Sequence, residues 1–547
     1  MLAPRRPAAA TAAAAALLAM LAVGGCSKPS LPHSGGERNS WTVPGTLRVG
    51  QAEEPDNLNL MYAHSAASDE VSGLLFSFLL RYDRDGNYVP DLATVVPTVG
   101  NGGISRDGKT IVVHLRKGVV WADGAPLTAA DWLFTYRAAT NPRNNVKTRY
   151  GWDAIASAAA PNPHTIIIRL KHPSTSVLGI LAMGGAGYPP MPAHLLAALP
   201  NLNASDFNGN PLSSGPYVLK AWNRGTSLIF VPNPRYFRGA PRLKELDWKI
   251  VPDVNTLFDQ LRTHEIDVYP DVNANAVPQL GGLPGIVVKK QLTANWRHLG
   301  INVSRPLLHD VRVRRAISEG VDWKRINDTV YHGINRLAVS DIFPESWAAP
   351  VLPAYRYDPS AARRLLAQAG WTMQSDGVLH YRNAAMHLTI SATVGHQENE
   401  QSEILIQSML KPLGIDVQIR NYPANLFFAQ IGPLYAGKYD LEWSIDTNGA
   451  DPDNAGNWNG SFIPPNGANT SWLDDPIVNA TSTAAASTFD IAKRKKLYQQ
   501  EETRIRELVP AVFFTWETGY TAMNSDVKNY IPAAVVGATW NAWQWTI

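Results

Sequence analysis

The chain predicts an α/β protein built from several lobes. Strand-like and helix-like patterns alternate along its whole length. Its 547 residues suffice for about three cores, and its 45% hydrophobic and 17% charged residues are a globular balance. A single cysteine excludes a disulfide framework, a thiolate zinc site or an iron–sulfur cluster made by this chain alone. Lys+Arg of 49 against Asp+Glu of 46 leaves no basic excess, so nucleic acid is not an expected partner.

Residues 1–25 read as a signal peptide. Arg5 and Arg6 precede an apolar, alanine-rich run from Ala8 to Val23, too short for a convincing membrane span. The run ends in Val23-Gly24-Gly25-Cys26, which resembles a lipobox, with cleavage before Cys26 and a lipid on its sulfur. Residues 26–40 are polar and aperiodic, a flexible tether. The expected location is outside the cytoplasm, anchored to the cell envelope without spanning the membrane.

Structure should begin with a strand at residues 46–50. Val71, Leu74, Leu75 and Phe78 have helical spacing within residues 69–80, and Tyr82 to Asn87 form a turn between short strands. Residues 111–116 read as a strand. Thr128 and Asp131 form a capping box ahead of Trp132, Leu133 and Tyr136. Ser214-Gly215-Pro216-Tyr217 is a turn entering a strand, and residues 227–231 are the next strand. Asp310 caps a helix that ends near Gly320. Asp358-Pro359 opens another that stops at Gly370. Residues 400–410 are amphipathic, 414–420 a strand, and 490–508 the last long helix.

Three patterns imitate other chemistry. Gly103 to Thr110 matches the spacing of a phosphate loop, but β-rich residues 111–115 follow where a helix is needed, so a hairpin is expected. Asp83, Asp85 and Asn87 start like a calcium loop but lack its glycine and its terminal glutamate. The thirteen histidines are scattered, none four residues from another, which supports no metal site. No G-x-S-x-G and no thiol beyond Cys26 is present, so catalysis is not expected, and no cofactor is called for.

The segment from Lys109 to Asp131, KTIVVHLRKGVVWADGAPLTAAD, resembles the signature of family 5 of the extracellular solute-binding proteins, the peptide/nickel class. Glu54-Pro55-Asp56-Asn57-Leu58, Val89-Pro90-Asp91-Leu92-Ala93, Asn233-Pro234-Arg235-Tyr236-Phe237, Asp310 to Ile317 and Asp451-Pro452-Asp453-Asn454 resemble further blocks in the family's order, covering residues 46–540. The resemblance implies a type II (cluster C-like) bilobed clamshell with an additional third domain. The expected divisions are 41–77, 206–292 and 519–547 for lobe I, 78–205 for the extra domain and 293–518 for lobe II. It also implies a monomer that traps solute between its lobes and hands it to the permease and ATPase subunits of an ABC importer.

Enclosing a peptide strips water from its charged ends, so each end needs an opposite charge. In peptide binders of the family an aspartate three residues after a tryptophan pairs with the ligand's amine. That pattern points to Trp443 and Asp446, with Asp451 as the fallback because the spacing to the Asp-Pro pair is longer here. His396 stands where dipeptide binders carry an arginine for the carboxylate, which favours longer peptides or other solutes. Trp458, Trp296 and Tyr62 are candidates to line the cleft. The same fold could instead take an oligosaccharide, haem or a metal chelate, or signal occupancy to a membrane partner.

Overall fold

Two long antiparallel strands, Ile286–Ile301 and Ala511–Asn524, run side by side through the middle of the molecule and belong to both of its halves. In the computed structural model, residues 38–184, 187–533 and 535–547 are described. The expected signal peptide, the expected lipobox and Cys26 lie outside them. Trp41–Ile547 is one compact unit. Among the described residues no helix is long and apolar enough to cross a membrane.

The two long strands join one eleven-stranded mixed sheet. On one side the order continues through Leu441–Thr447, His387–Ser391 and Asp416–Ile419. On the other it continues through Val268–Tyr269, Thr46–Gln51, Glu245–Ile250, Ser227–Pro232 and Tyr217–Asn223. Arg336–Leu337 adds to the edge of Ala511–Asn524. At the middle the pairing breaks: Leu292 faces Thr518, but Trp296 faces Trp516. The first strand therefore spends three residues where its partner spends one, and such a bulge bends a sheet.

Local signals position most elements. The capping box forms: Thr128 accepts from the Ala130 amide, and the Asp131 carboxylate accepts from the Thr128 amide at 2.7 Å, opening Ala129–Thr140. Asp310, Asp358 and Asp490 each cap the helix that follows. Residues 103–110 make a turn that leads into the strand Thr110–His114.

One helix differs from expectation. Instead of residues 69–80 it is Ala66–Leu75, capped by Ser65. It stops because the 213–215 turn takes its last carbonyl: the Ser213 hydroxyl and the amides of Ser214 and Gly215 all donate to Leu75 O. Gly215 permits that approach, since a β-carbon there would sit 2.6 Å from the Leu75 carbonyl carbon.

Apolar packing divides along the long strands. One core joins Leu47, Val49, Leu74 and Trp248 to Trp121, Trp132 and Ile168, so residues 78–205 share a continuous interior with the Thr46–Gln51 half of the sheet. Leu299, Ile317, Leu388, Ile406, Trp443 and Phe514 form a separate core in the other half. A third cluster, holding Trp296, Trp458, Phe513 and Trp516, lies on the opposite sheet face from Trp443.

Candidate functional site

Period-two alternation builds the site. On Leu441–Thr447, residues Glu442, Ser444 and Asp446 share one face, while Leu441, Trp443 and Ile445 share the other. Across the ladder Trp296 faces Asp446, His298 faces Ser444 and Gly300 faces Glu442. Directly opposed residues lie on the same side of a sheet. Trp296, His298, Glu442 and Asp446 therefore converge, and with Tyr439, Asn457, Trp458 and Thr470 they line a half-open cavity of about 20 Å³.

The polar groups of this face are unequally satisfied. His298 Nε2 lies 2.8 Å from Glu442 Oε1, and both residues are buried. His298 Nδ1, Glu442 Oε2 and Trp296 Nε1 have no hydrogen-bond partner among the described residues. Asp446 is solvent-exposed, yet protein crowds it closely. That crowding pushes its carboxyl above the ordinary value; His298 opposes the shift, and Glu442 and Asp341 reinforce it. Burial pulls His298 down, but the Glu442 carboxylate outweighs it, aided by Asp446 and Asp341, so the imidazole titrates above its ordinary value. The result is a face rich in carboxyl groups, open to solvent at Asp446, for which no salt bridge is found among the described residues.

Trp458 also joins a second group of buried carboxyls. Trp458 Nε1 donates to Asp341 at 2.9 Å, and Asn454 Nδ2 bridges Asp341 and Glu502. Burial pushes Glu501 and Glu502 well above the carboxylate range, with Asp341 repelling both. Among the described residues no group of three His, Cys, Asp or Glu side chains could hold a metal ion.

The model of the bacterial extracellular solute-binding proteins, family 5, matches residues 87–473, well over half of the chain. The chain belongs to that family. Family 5 members are solute-binding proteins and not enzymes, and so is this chain. It is 26% identical over 498 residues to the oligopeptide-binding protein AppA of Bacillus subtilis, covering 89% of each chain. The solved structure of AppA with a nonapeptide superimposes with a TM-score of 0.71 at 25% identity, covering 92% of this chain and 99% of that one. NikZ of Campylobacter jejuni in complex with Ni(L-His) gives 0.74 at 26% identity, covering 92% and 100%. The fold is the type II clamshell with an additional domain.

Within this family 5 fold the expected site residues separate. Asp446, Trp296 and Trp458 come together at the small cavity. Trp443 does not join them: it is three positions from Asp446, an odd number on a regular strand, and it is fully buried against Trp323 and Phe514. Asp451 is engaged elsewhere, bound by both Arg494 amino groups at 2.7 and 3.2 Å. Tyr88 Oη reaches the same carboxylate at 3.5 Å. His396 is exposed at the N-cap of Gln397–Leu410, makes no side-chain capping bond and does not line the Asp446 cavity. Tyr62 packs on the core shared with residues 78–205, where burial and the nearby Tyr188 push its hydroxyl up to about 12.

Sequence reasoning missed His298 and Glu442. The signal was present: they lie on two paired strands at even spacing from Trp296 and Asp446. A second cavity, about 340 Å³, occupies a different place, between residues 272–275 and Arg297, Tyr331, Asn335, Glu398 and Glu517. There Arg297 is already paired with Glu517 at 2.7 Å and Asn399 at 2.6 Å.

Proposed function

We propose that this protein is the binding subunit of an ABC importer for oligopeptides, held to the cell envelope by a lipid on Cys26. Three pieces form the clamshell: 41–77, 206–292 and 519–547 as lobe I, 78–205 as the extra domain, and 293–518 as lobe II. The bulge at residues 293–295 opposite Glu517 is where the lobes hinge. A peptide lies between them with its ammonium on Asp446, flanked by the Trp296 ring. Its backbone pairs with strand edges, and its side chains rest in wet, permissive surroundings. The lobes close over it, deliver it intact to the permease and reopen.

One observation supports this reading: a solvent-exposed carboxylate, Asp446, beside a small cavity, in a chain similar over nearly its whole length to an oligopeptide-binding protein. The test is mass spectrometry and calorimetry of protein lacking residues 1–26, incubated with mixed oligopeptides. Intact bound peptides support the reading; shortened products, or binding of sugars alone, overturn it. The likeness to NikZ in complex with Ni(L-His) favours a second reading, capture of a preformed metal–amino acid chelate. Retention of such a chelate with no retention of peptide would select it.

A further inference from the structure

We infer that the ligand's ammonium group is received not by Asp446 alone but by a compound site in which Glu442 supplies a second carboxylate and His298 a counter-charge that gives up its proton as the ammonium enters. The inference rests on the proposal that Asp446 anchors an amine, and it adds the partners of that amine.

The geometry is specific. Glu442 and Asp446 lie on one strand face, four residues apart, both lining the same cavity with His298 and Trp296. Glu442 uses only Oε1 internally, on His298 Nε2; Oε2 is buried and unpartnered among the described residues. A buried acceptor left without a partner is costly, so a bound group that donates to it is strongly favoured. The cavity of about 20 Å³ has room for one water-sized group, and a terminal ammonium is of that size. Gly300 makes the arrangement possible, because a β-carbon there would fall 2.1 Å from Glu442 Oε1.

Charge decides between an ammonium and a neutral group. Among the described residues the charges acting on His298 are Glu442 and Asp446 on the neighbouring strand and Asp341 from residues 338–348, all acidic, and the Tyr439 hydroxyl lines the same cavity. With His298 protonated, the Glu442–Asp446–His298 set carries one negative charge; with it neutral, two. An incoming ammonium repels the imidazolium and competes with it for Glu442. Its arrival therefore lowers the proton affinity of His298. Trp296 Nε1, also unpartnered, then stands ready for the ligand's first carbonyl oxygen.

The ammonium has two sources, a peptide N-terminus or a lysine side chain, and the test separates them. Three synthetic peptide pools are offered to the protein lacking residues 1–26: free N-termini without lysine, N-acetylated without lysine, and N-acetylated with one lysine. Retention is measured for the wild type, Asp446→Asn, Glu442→Gln and His298→Gln, with circular dichroism to confirm folding. Calorimetry in two buffers of different ionisation heat reports proton release. Wild type should prefer an ammonium-bearing pool over the N-acetylated lysine-free pool by at least tenfold. Glu442→Gln should lose that preference as Asp446→Asn does. Wild type should release protons on binding at pH 7, and His298→Gln should not. A preference unchanged in Glu442→Gln but lost in Asp446→Asn overturns the compound site and leaves the proposed function standing. A wild type that does not distinguish acetylated from free peptides, or retains none, overturns both.

Discussion

Trp296 and Asp446 face each other across adjacent antiparallel strands, and this pair marks the sheet surface that carries the charge of the site. Trp443, the tryptophan nearer to Asp446 in sequence, belongs to the opposite surface and to the hydrophobic core.

Asp446→Ala should weaken oligopeptide binding by about 2–5 kcal/mol, the usual effect of removing one partner from an enclosed charge pair. Because Asp446 is exposed and, among the described residues, makes no salt bridge, thermal unfolding of the free variant should stay close to the wild type. Calorimetry beside a melting curve checks both; unchanged affinity would remove the anchor.

Asp451→Asn should act the other way. It leaves Arg494, whose side chain is only 3% exposed, without its bidentate carboxylate. Breaking such a pair typically costs about 3–5 kcal/mol of stability. Denaturant unfolding should show this loss, while the preference for a free over an acetylated peptide amine stays at the wild-type level.

Gly300→Ala tests the close approach of Glu442. The added methyl cannot fit at 2.1 Å from Oε1, so Glu442 must leave His298 or the strand must shift. Overpacking of this kind costs about 1–3 kcal/mol. The melting temperature should fall, and the His298 imidazole resonance in NMR titrations should move toward its ordinary pKa.

The contrast between Trp443 and Asp446 shows what the sequence makes legible. Caps are short-range chemistry, so the box formed by Thr128 and Asp131 and the caps at Asp310, Asp358 and Asp490 could be read from neighbouring letters. The end of Ala66–Leu75 could not, because it depends on Ser213 and Gly215, some 138 residues away. Motif spacing brought Asp446 forward but carried Trp443 with it. Odd spacing along one strand already puts their side chains on different sides, but only the ladder register with Ile286–Ile301 brings Trp296 and His298 to the side of Asp446.

Stability should fall as pH rises through neutrality. Burial, with Asp271 adding repulsion, pushes the Glu70 carboxyl up to about 8 from an ordinary value near 4.5. A folded-state pKa above the unfolded one gives a contribution complete below about pH 4.5 and lost as pH climbs to about 8. Glu70→Gln should flatten this dependence. Urea unfolding at pH 4.5 and 8.5 should show the variant gaining on the wild type only at the higher pH; an equal difference at both would contradict the assignment.

The most direct test is the identity of whatever the protein carries when purified without denaturation. Mass spectrometry of the released molecule should find intact oligopeptides with free amino termini, and Asp446→Ala purified in parallel should carry few or none. A sugar, or a chelate with no peptide, in place of those oligopeptides would contradict the account.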